Sequence, residues 1–244
     1  MSNHIYIITG ASSGLGAELT RQLLAEDNVV YCLSRTENTD IVREASGYRY
    51  QFIAIDLTRV ETLNGRIQEM ISTIDPSHLD SITLINNAAM VSPIKDIEAC
   101  TQEEIMLHIQ LNLTAPVLLS SSFISLTSGW NVKRRLVNIS SGSAKYPAPS
   151  MSLYCSTKSA LNMFSQCVGL EQEDEPHAVQ VFAVDPGMMD TEMQKKARDS
   201  DFPLTGYFTK QKEEGNLADP VDVAHQILTL INAPLIKNGD IHRV

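Results

Sequence analysis

Seven short, β-branched apolar runs alternate with longer segments of helical periodicity, and this alternation sets what the chain can fold into. The runs are Ile5–Thr9, Val29–Ser34, Gln51–Ile55, Ile82–Asn86, Arg135–Ile139, Val179–Val184 and Asp240–Arg243. Strands this short and this continuously apolar must be covered on both faces. Strands joined through helices run parallel, because only a long crossover can return the chain to the same sheet edge. The expected fold is α/β: a Rossmann-type doubly wound parallel sheet of about seven strands. Helices are expected over Gly14–Glu26, Thr58–Ile74, Thr101–Ser125, Ser152–Gln172 and Asp219–Ile231. No Ser-, Pro- or Gly-rich stretch interrupts the pattern, so residues 1–244 read as one domain. Segment 188–216 exceeds an ordinary strand–helix connection, is rich in Asp, Lys, Phe and Tyr, and is expected to be a substrate lid.

In such sheets ligands sit beyond the carboxyl ends of the strands. There the first run passes into Thr9-Gly10-Ala11-Ser12-Ser13-Gly14-Leu15-Gly16, after which Leu15, Leu19, Leu23 and Leu24 take helical spacing. Glycines at a strand–helix turn let the backbone approach a pyrophosphate, whose charge then faces the free N–H groups and positive end of the helix. The spacing is G-x-x-x-G-x-G rather than the G-x-G-x-x-G dinucleotide fingerprint, so taken alone the turn also fits a purely structural bend.

The second run ends in Ser34-Arg35. An NAD site needs a carboxylate there for the ribose 2′-hydroxyl, whereas a 2′-phosphate suits an Arg guanidinium that pairs and forks around it. Arg35 therefore points to NADP(H), its alternative being a solvated surface arginine. Further on, Tyr154 and Lys158 stand four apart on one helical face. A free phenol, with a pKa near 10, is a poor proton source, and a neighbouring ammonium is expected to lower that value. Such pairs are common on helices by chance. Ser140 and Ser141 follow a strand end, where a hydroxyl could steady a developing oxyanion.

Thr9-Gly10-x-x-x-Gly14-x-Gly16, Asn86-Asn87-Ala88-Ala89, Tyr154-x-x-x-Lys158 and Pro186-Gly187 stand in the order and spacing of the short-chain dehydrogenase/reductase family, which the chain resembles over nearly its whole length. Leu84-Ile85-Asn86-Asn87-Ala88, Leu111-Asn112-Leu113-Thr114, Val137-Asn138-Ile139-Ser140-Ser141, Leu153-Tyr154-Cys155 and Asp190-Thr191-x-Met193 resemble its sepiapterin reductase and benzil reductase branch. The resemblance implies NADPH-dependent reduction of a small-molecule carbonyl, with Tyr154 as proton donor, Lys158 as its partner and Ser141 as the catalytic serine. Ser140 is expected to support the loop through local side-chain-to-backbone bonds.

It further implies that Asn112 holds a water near the lysine. Cofactor contacts are implied at Gly10, Ser12, Ser13, Gly14, Leu15, Gly16, Arg35, Asp56, Leu57, Asn87 and Ala88, and also at Tyr154, Lys158, Pro186, Gly187, Met189 and Thr191. Ser13 stands where some NADP-using relatives have a second basic residue, which leaves Arg35 most of the discrimination. The substrate is expected to meet Ser143, Ala144, Tyr146, Met151, Met188 and Met189, with Phe202, Leu204, Tyr207 and Phe208 from the lid. This apolar and aromatic lining suits a bulky, uncharged dicarbonyl. No acidic residue follows Asp240, so the pterin grip of sepiapterin reductases lacks its counterpart, and a benzil-type diketone comes ahead of a pterin. An alcohol or hydroxysteroid dehydrogenase, and a non-catalytic NADPH-sensing regulator, remain alternatives. The intact Ser/Tyr/Lys set weighs against the last.

Composition narrows the partners. With 19 basic and 29 acidic residues the net charge is −10, which repels nucleic acid and anionic lipid. The first residues lack a basic n-region and no window reads as a membrane span, so a cytoplasmic protein is expected. Cys32, Cys100, Cys155 and Cys167 are scattered, as are the six His, and neither disulfide nor metal site is expected. Met106, Ile109, Phe123, Leu161, Phe164 and Val168 exceed what one sheet face covers, and predict a homo-oligomer, a dimer through helices 101–125 and 152–172.

Overall fold

The computed structural model describes residues 3–26, 28–45, 49–234 and 236–244. All seven runs become strands: β1 (His4–Thr9), β2 (Val29–Ser34), β3 (Tyr50–Ala54), β4 (Ser81–Asn86), β5 (Lys133–Ile139), β6 (Val179–Asp185) and β7 (Ile241–Arg243). They lie in the order β3-β2-β1-β4-β5-β6-β7, every neighbouring pair parallel. The order reverses between β1 and β4, opening a crevice at their carboxyl ends.

The helices are α1 (Gly14–Ala25), α2 (Thr39–Glu44), α3 (Leu63–Ser72), α4 (Gln102–Ile109), α5 (Ala115–Leu126), α6 (Ser152–Gln172), α7 (Glu192–Arg198), α8 (Thr205–Glu213) and α9 (Pro220–Ile231). The pleat of β1 explains the two layers, because alternate residues point to opposite faces. Ile5 and Ile7 join α3, α5 and Val168 of α6 in one core, whereas Tyr6 and Ile8 join Leu19 and Leu23 of α1 and Ile227 and Ile231 of α9 in the other. All six residues of β4 are buried, as a strand covered on both faces requires.

Three expectations need correction. Helix α2, capped by the Asn38 side chain on the backbone N–H groups of Asp40 and Ile41, was not anticipated. The single helix expected over Thr101–Ser125 is interrupted by a π-helical turn at Gln110–Thr114 between α4 and α5. Pro116 is the cause we assign: without an N–H it cannot bond the carbonyl of Asn112 four residues earlier, and the ladder must widen to pass it. Finally, stretch 102–126 is long and apolar enough to match a membrane span by length and composition, contrary to the sequence reading. Its Leu119 and Phe123 are instead spent on the sheet-facing core.

Helix α6 is held close to the sheet. A Cβ on Gly169 would lie 2.3 Å from the nitrogen of Gly239, whose φ of +80° turns the chain into β7. That contact fixes the helix carrying Tyr154 and Lys158 against the sheet edge.

Candidate active site

At the strand ends lies a cleft of about 920 Å³. Its cofactor end is built around the glycine turn. Gly10 has φ +68°, and a Cβ there would sit 2.9 Å from the Cα of Ala88. A Cβ on Gly16 would meet the Gly10 carbonyl oxygen at 2.3 Å, so this glycine serves close packing of α1 and, unlike the others, does not line the cleft. The Asn87 amide donates to the Thr9 carbonyl at 2.9 Å, and the Thr9 hydroxyl accepts from the Asn87 and Ala88 N–H groups at 2.9 and 3.0 Å. These bonds tie the turn to the end of β4. Ser13 is the N-cap of α1, yet its side chain makes no capping bond and the first turn carries no acid. The N–H groups of that turn are therefore left to an anion, which suits a pyrophosphate.

Arg35 is exposed on the cleft wall, and its guanidinium forms no ion pair with the described residues. Ser34 beside it curls inward, donating to the Thr36 carbonyl at 2.9 Å. Asp56 accepts from the Thr58 hydroxyl at 2.7 Å and its N–H at 3.0 Å; the hydroxyl bond, with Arg35 and Arg59 nearby, holds its carboxyl below the usual range. Leu57 is buried and also faces the cleft. On the opposite wall, the Gly187 N–H donates to the Asp185 carboxylate at 3.0 Å, and Met188 and Asp190 bond the backbone of Ala218 at 2.9 and 3.1 Å. Pro186, Met189 and Thr191 line the same wall, and the Thr191 methyl lies 3.7 Å from where a Cβ on Gly14 would stand. The chain after β6 thus returns over the glycine turn. These residues fit a nicotinamide dinucleotide laid from Arg35 to Thr191.

The chemical end collects Ser141, Tyr154 and Lys158. Tyr154 is buried beside Ser141 in the cleft lining, and its hydroxyl reaches the Met193 sulfur at 3.8 Å. The Lys158 ammonium donates to the Ile139 carbonyl at 2.7 Å and lies 5.8 Å from the centroid of the Tyr154 ring. The expected lowering of the phenol pKa is not what the fold produces. Burial pushes Tyr154 up to about 12, opposed by the Ser141 hydrogen bond and reinforced by Asp185 and Cys155. Burial also drives Lys158 down to about 8. Desolvation penalises the charged form of each and is the leading cause of both shifts.

The two serines also differ from expectation. Ser141 makes the local loop bond, accepting from the Ser143 N–H at 3.1 Å, while the Ser140 hydroxyl is buried without a partner among the described residues. The pleat of β5 turns Ser140 inward, and only its backbone N–H is engaged, at 2.7 Å from the Val184 carbonyl. Asn112 does not line the cleft. Its amide is fully used on Met90, accepting from the N–H at 2.8 Å and donating to the carbonyl at 2.7 Å, and on His108 at 2.9 Å.

Of the anticipated substrate contacts, Ser143, Tyr146, Met151, Met188, Met189, Leu204, Tyr207 and Phe208 face the cleft. Ala144 and Phe202 do not. The Ala144 carbonyl accepts from Ser159, and Phe202 is buried with Val91, Met151 and Tyr154. Sequence reasoning missed Asn38, His108, Asp185 and Met193. Asn38 donates to the Ser12 carbonyl at 2.9 Å, and its signal was the helix-capping pattern Asn38-Thr39-Asp40. His108 stood four residues before Asn112, and Asp185 directly before Pro186.

A dinucleotide cradle at a parallel-sheet switch point, joined to a serine, tyrosine and lysine in one cleft, defines a nicotinamide-dependent oxidoreductase fold. Residues 4–201 match the family described as short chain dehydrogenase, and the chain belongs to it: an oxidoreductase acting between alcohols and carbonyl groups. It is 42% identical over 98% of both chains to the benzil reductase ((S)-benzoin forming) of Bacillus subtilis (strain 168). It is 39% identical, again over 98% of both, to that of Bacillus cereus. A sepiapterin reductase of Xenopus laevis is 27% identical, over 96% of this chain and 92% of that one. Among solved structures, the KRED1-Pglu enzyme superposes with a TM-score of 0.82 at 27% identity, covering 98% of this chain and 99% of that one.

Proposed function

We propose that this protein is an NADPH-dependent carbonyl reductase that converts a ketone or diketone of the benzil type into the hydroxyketone or alcohol. The observation that carries the reading is that Ser141, Tyr154 and Lys158 line one cleft, which also holds the glycine turn. The benzil reductases at 39% and 42% identity support the substrate class. So does a wall of Met151, Met189, Leu204 and Phe208, which offers dispersion contact to aromatic groups without demanding charge.

Held between the glycine turn, Arg35 and Thr191, the nicotinamide cofactor would supply a hydride to the carbonyl carbon. Ser141 orients the carbonyl oxygen, and Tyr154 gives that oxygen its proton. A phenol held near pKa 12 stays protonated throughout the neutral range, and an alkoxide is basic enough to take its proton. Lys158 steadies the tyrosinate that remains and would hold the nicotinamide ribose of a bound cofactor. Asn112 offers its main-chain carbonyl to a water that resupplies the proton. Segment 188–216 acts as the lid: α7 and α8 are joined by Arg198 and Lys212, both on Asp190, and by the Gln194 amide on the Phe208 carbonyl at 3.0 Å. The test is a spectrophotometric panel of benzil, other ketones and sepiapterin, each with NADPH and NADH. Turnover of none of them would reject the proposal.

Cofactor choice is assigned to Arg35, whose free guanidinium faces the position of a 2′-phosphate. Arg35→Asp is expected to weaken NADPH binding roughly ten- to hundredfold, the value of one charge-assisted pair, and to leave NADH binding little changed. Similar kcat/KM for both cofactors in the unmodified enzyme would overturn the assignment.

We further propose a homodimer through the outer faces of α4 and α6. Of the residues the sequence suggested, Phe123, Leu161 and Val168 are spent in the core, because their side chains point to the sheet. Met106 and Ile109 remain exposed, and Met163 and Leu170, at 60% and 63% exposure, join them. Light scattering at micromolar concentration should return twice the chain mass of 26.9 kDa. A monomer mass would exclude this interface.

A further inference from the structure

His108 is wholly buried on α4, and no step of the proposed reaction uses it. Its Nδ1 lies 2.8 Å from the Ser92 carbonyl, and its Nε2 lies 2.9 Å from the Asn112 amide nitrogen and 3.4 Å from the Thr157 hydroxyl. Its ring meets the Tyr154 ring edge to face, with centroids 6.3 Å apart and planes at 86°. Four pieces of the site therefore converge on one imidazole: the cleft wall at Ser92, the π-turn at Asn112, α6 at Thr157, and the Tyr154 ring.

The bonding admits one protonation state. A carbonyl can only accept, so Nδ1 carries the hydrogen and donates to Ser92. The Asn112 amide is oriented by Met90, whose N–H must face Oδ1 and whose carbonyl must face Nδ2. Nδ2 thus arrives at Nε2 as a donor, and Nε2 must be bare. An imidazolium would set N–H against N–H, and the amide could not flip to relieve it without losing both bonds to Met90.

We propose that His108, as the neutral Nδ1–H tautomer, is a positioning residue that holds Tyr154 and the Met90–Ser92 wall of the cleft in their working geometry. This rests on the carbonyl reductase reading for its kinetic consequence. The groups facing His108 agree with it. From α6 come the Tyr154 phenol and the Lys158 ammonium, and burial together with Lys158 holds the imidazole below its ordinary pKa of 6.5, although the Ser92 bond works the other way. On its own helix, Glu104 is engaged by Lys95 at 2.8 Å. The network is therefore intact at neutral pH. Because the folded value lies below the unfolded one, its stabilisation is present above 6.5 and is lost as pH falls through the folded value.

Three variants and one spectrum test this. His108→Leu keeps the volume but removes both bonds; kcat should fall roughly ten- to hundredfold, as for a misplaced acid, with NADPH affinity within about twofold of the unmodified enzyme. His108→Gln offers Asn112 an acceptor that cannot ionise, and should restore most of kcat while abolishing the acidic limb of its pH profile. Asn112→Asp, which exchanges the donor facing Nε2 for an acceptor, should draw a proton onto the ring and move that limb to higher pH. Wild-type kcat in His108→Leu, or an unchanged acidic limb in His108→Gln, would overturn the proposal. If His108→Leu does not fold, the glutamine variant decides. Should no carbonyl be turned over, the reductase reading fails on its own, and two-bond ¹⁵N–¹H correlation of the His108 ring still tests the inference. An Nδ1–H tautomer titrating below the ordinary value supports it; an Nε2–H tautomer, or titration at or above that value, refutes it.

Discussion

Tyr154→Phe should lower kcat by roughly a hundred- to ten-thousandfold, the usual worth of a positioned general acid, while NADPH titration by fluorescence shows binding almost unchanged. The ring stays, so its edge-to-face contact with His108 and its packing with Phe202 persist; only the hydroxyl is lost. Ser141→Ala should sit below this in effect, costing about 2.7–4 kcal/mol of transition-state stabilisation if its hydroxyl behaves like other oxyanion donors. Ser140→Ala should matter less, because that hydroxyl reaches neither Tyr154 nor a loop N–H. Near-normal turnover in Tyr154→Phe would refute the mechanism. A reversed ranking of the serines would refute only the choice between them.

Lys158→Met is expected to damage both kcat and NADPH binding and yet to stabilise the fold. Burial holds the folded-state value near 8 against the ordinary 10.5. Between these the unfolded chain binds more protons, so stability climbs with pH from about 8 to about 10.5. Below 8 the folded protein carries the whole desolvation cost, on the order of 3 kcal/mol at about 1.4 kcal/mol per pKa unit. Methionine removes that cost and strands the Ile139 carbonyl, which takes back about 1–3 kcal/mol. At pH 7 the variant should melt higher than the unmodified protein, and above pH 10.5 the advantage should vanish. The same ionisation predicts an alkaline limb near pH 8 in kcat/KM, where the ammonium facing Tyr154 is lost. A Lys158→Met protein that melts lower at pH 7 would show that the ammonium is compensated.

The two predictions have a common source, a low-dielectric floor beneath the cleft. Ser141, Tyr154 and Lys158 come from β5's end and from α6; Tyr154 is buried among Val91, Met151 and Phe202, and Lys158 against the Ile139 carbonyl of β5. Charge is costly there, which suits an acid that must stay protonated until the carbonyl oxygen becomes basic.

Local pattern was enough for the strands, the glycine turn and the Tyr154/Lys158 pair. Short, continuously apolar runs mark a sheet covered on both sides, and i,i+4 spacing puts two side chains on one helical face whatever surrounds them. The π-turn was not read from the sequence, where one helix is expected over Thr101–Ser125; its signal was Pro116, four residues after Asn112. Electrostatic sign was not legible: the same Tyr/Lys spacing on a wet helix lowers a phenol pKa, and buried against β5 it does not. Nor was the choice between Ser140 and Ser141, which turns on one step of the β5 pleat, or the division of apolar residues between core and outer face on α4 and α6. His108 and Asn112 are neighbours by i,i+4 spacing, but Met90 meets them only because the chain folds back after β4, and sequence separation carries no information about that. Periodicity is a property of neighbours along the chain; desolvation and hydrogen-bond closure depend on neighbours in space, so the tertiary structure alone decided them.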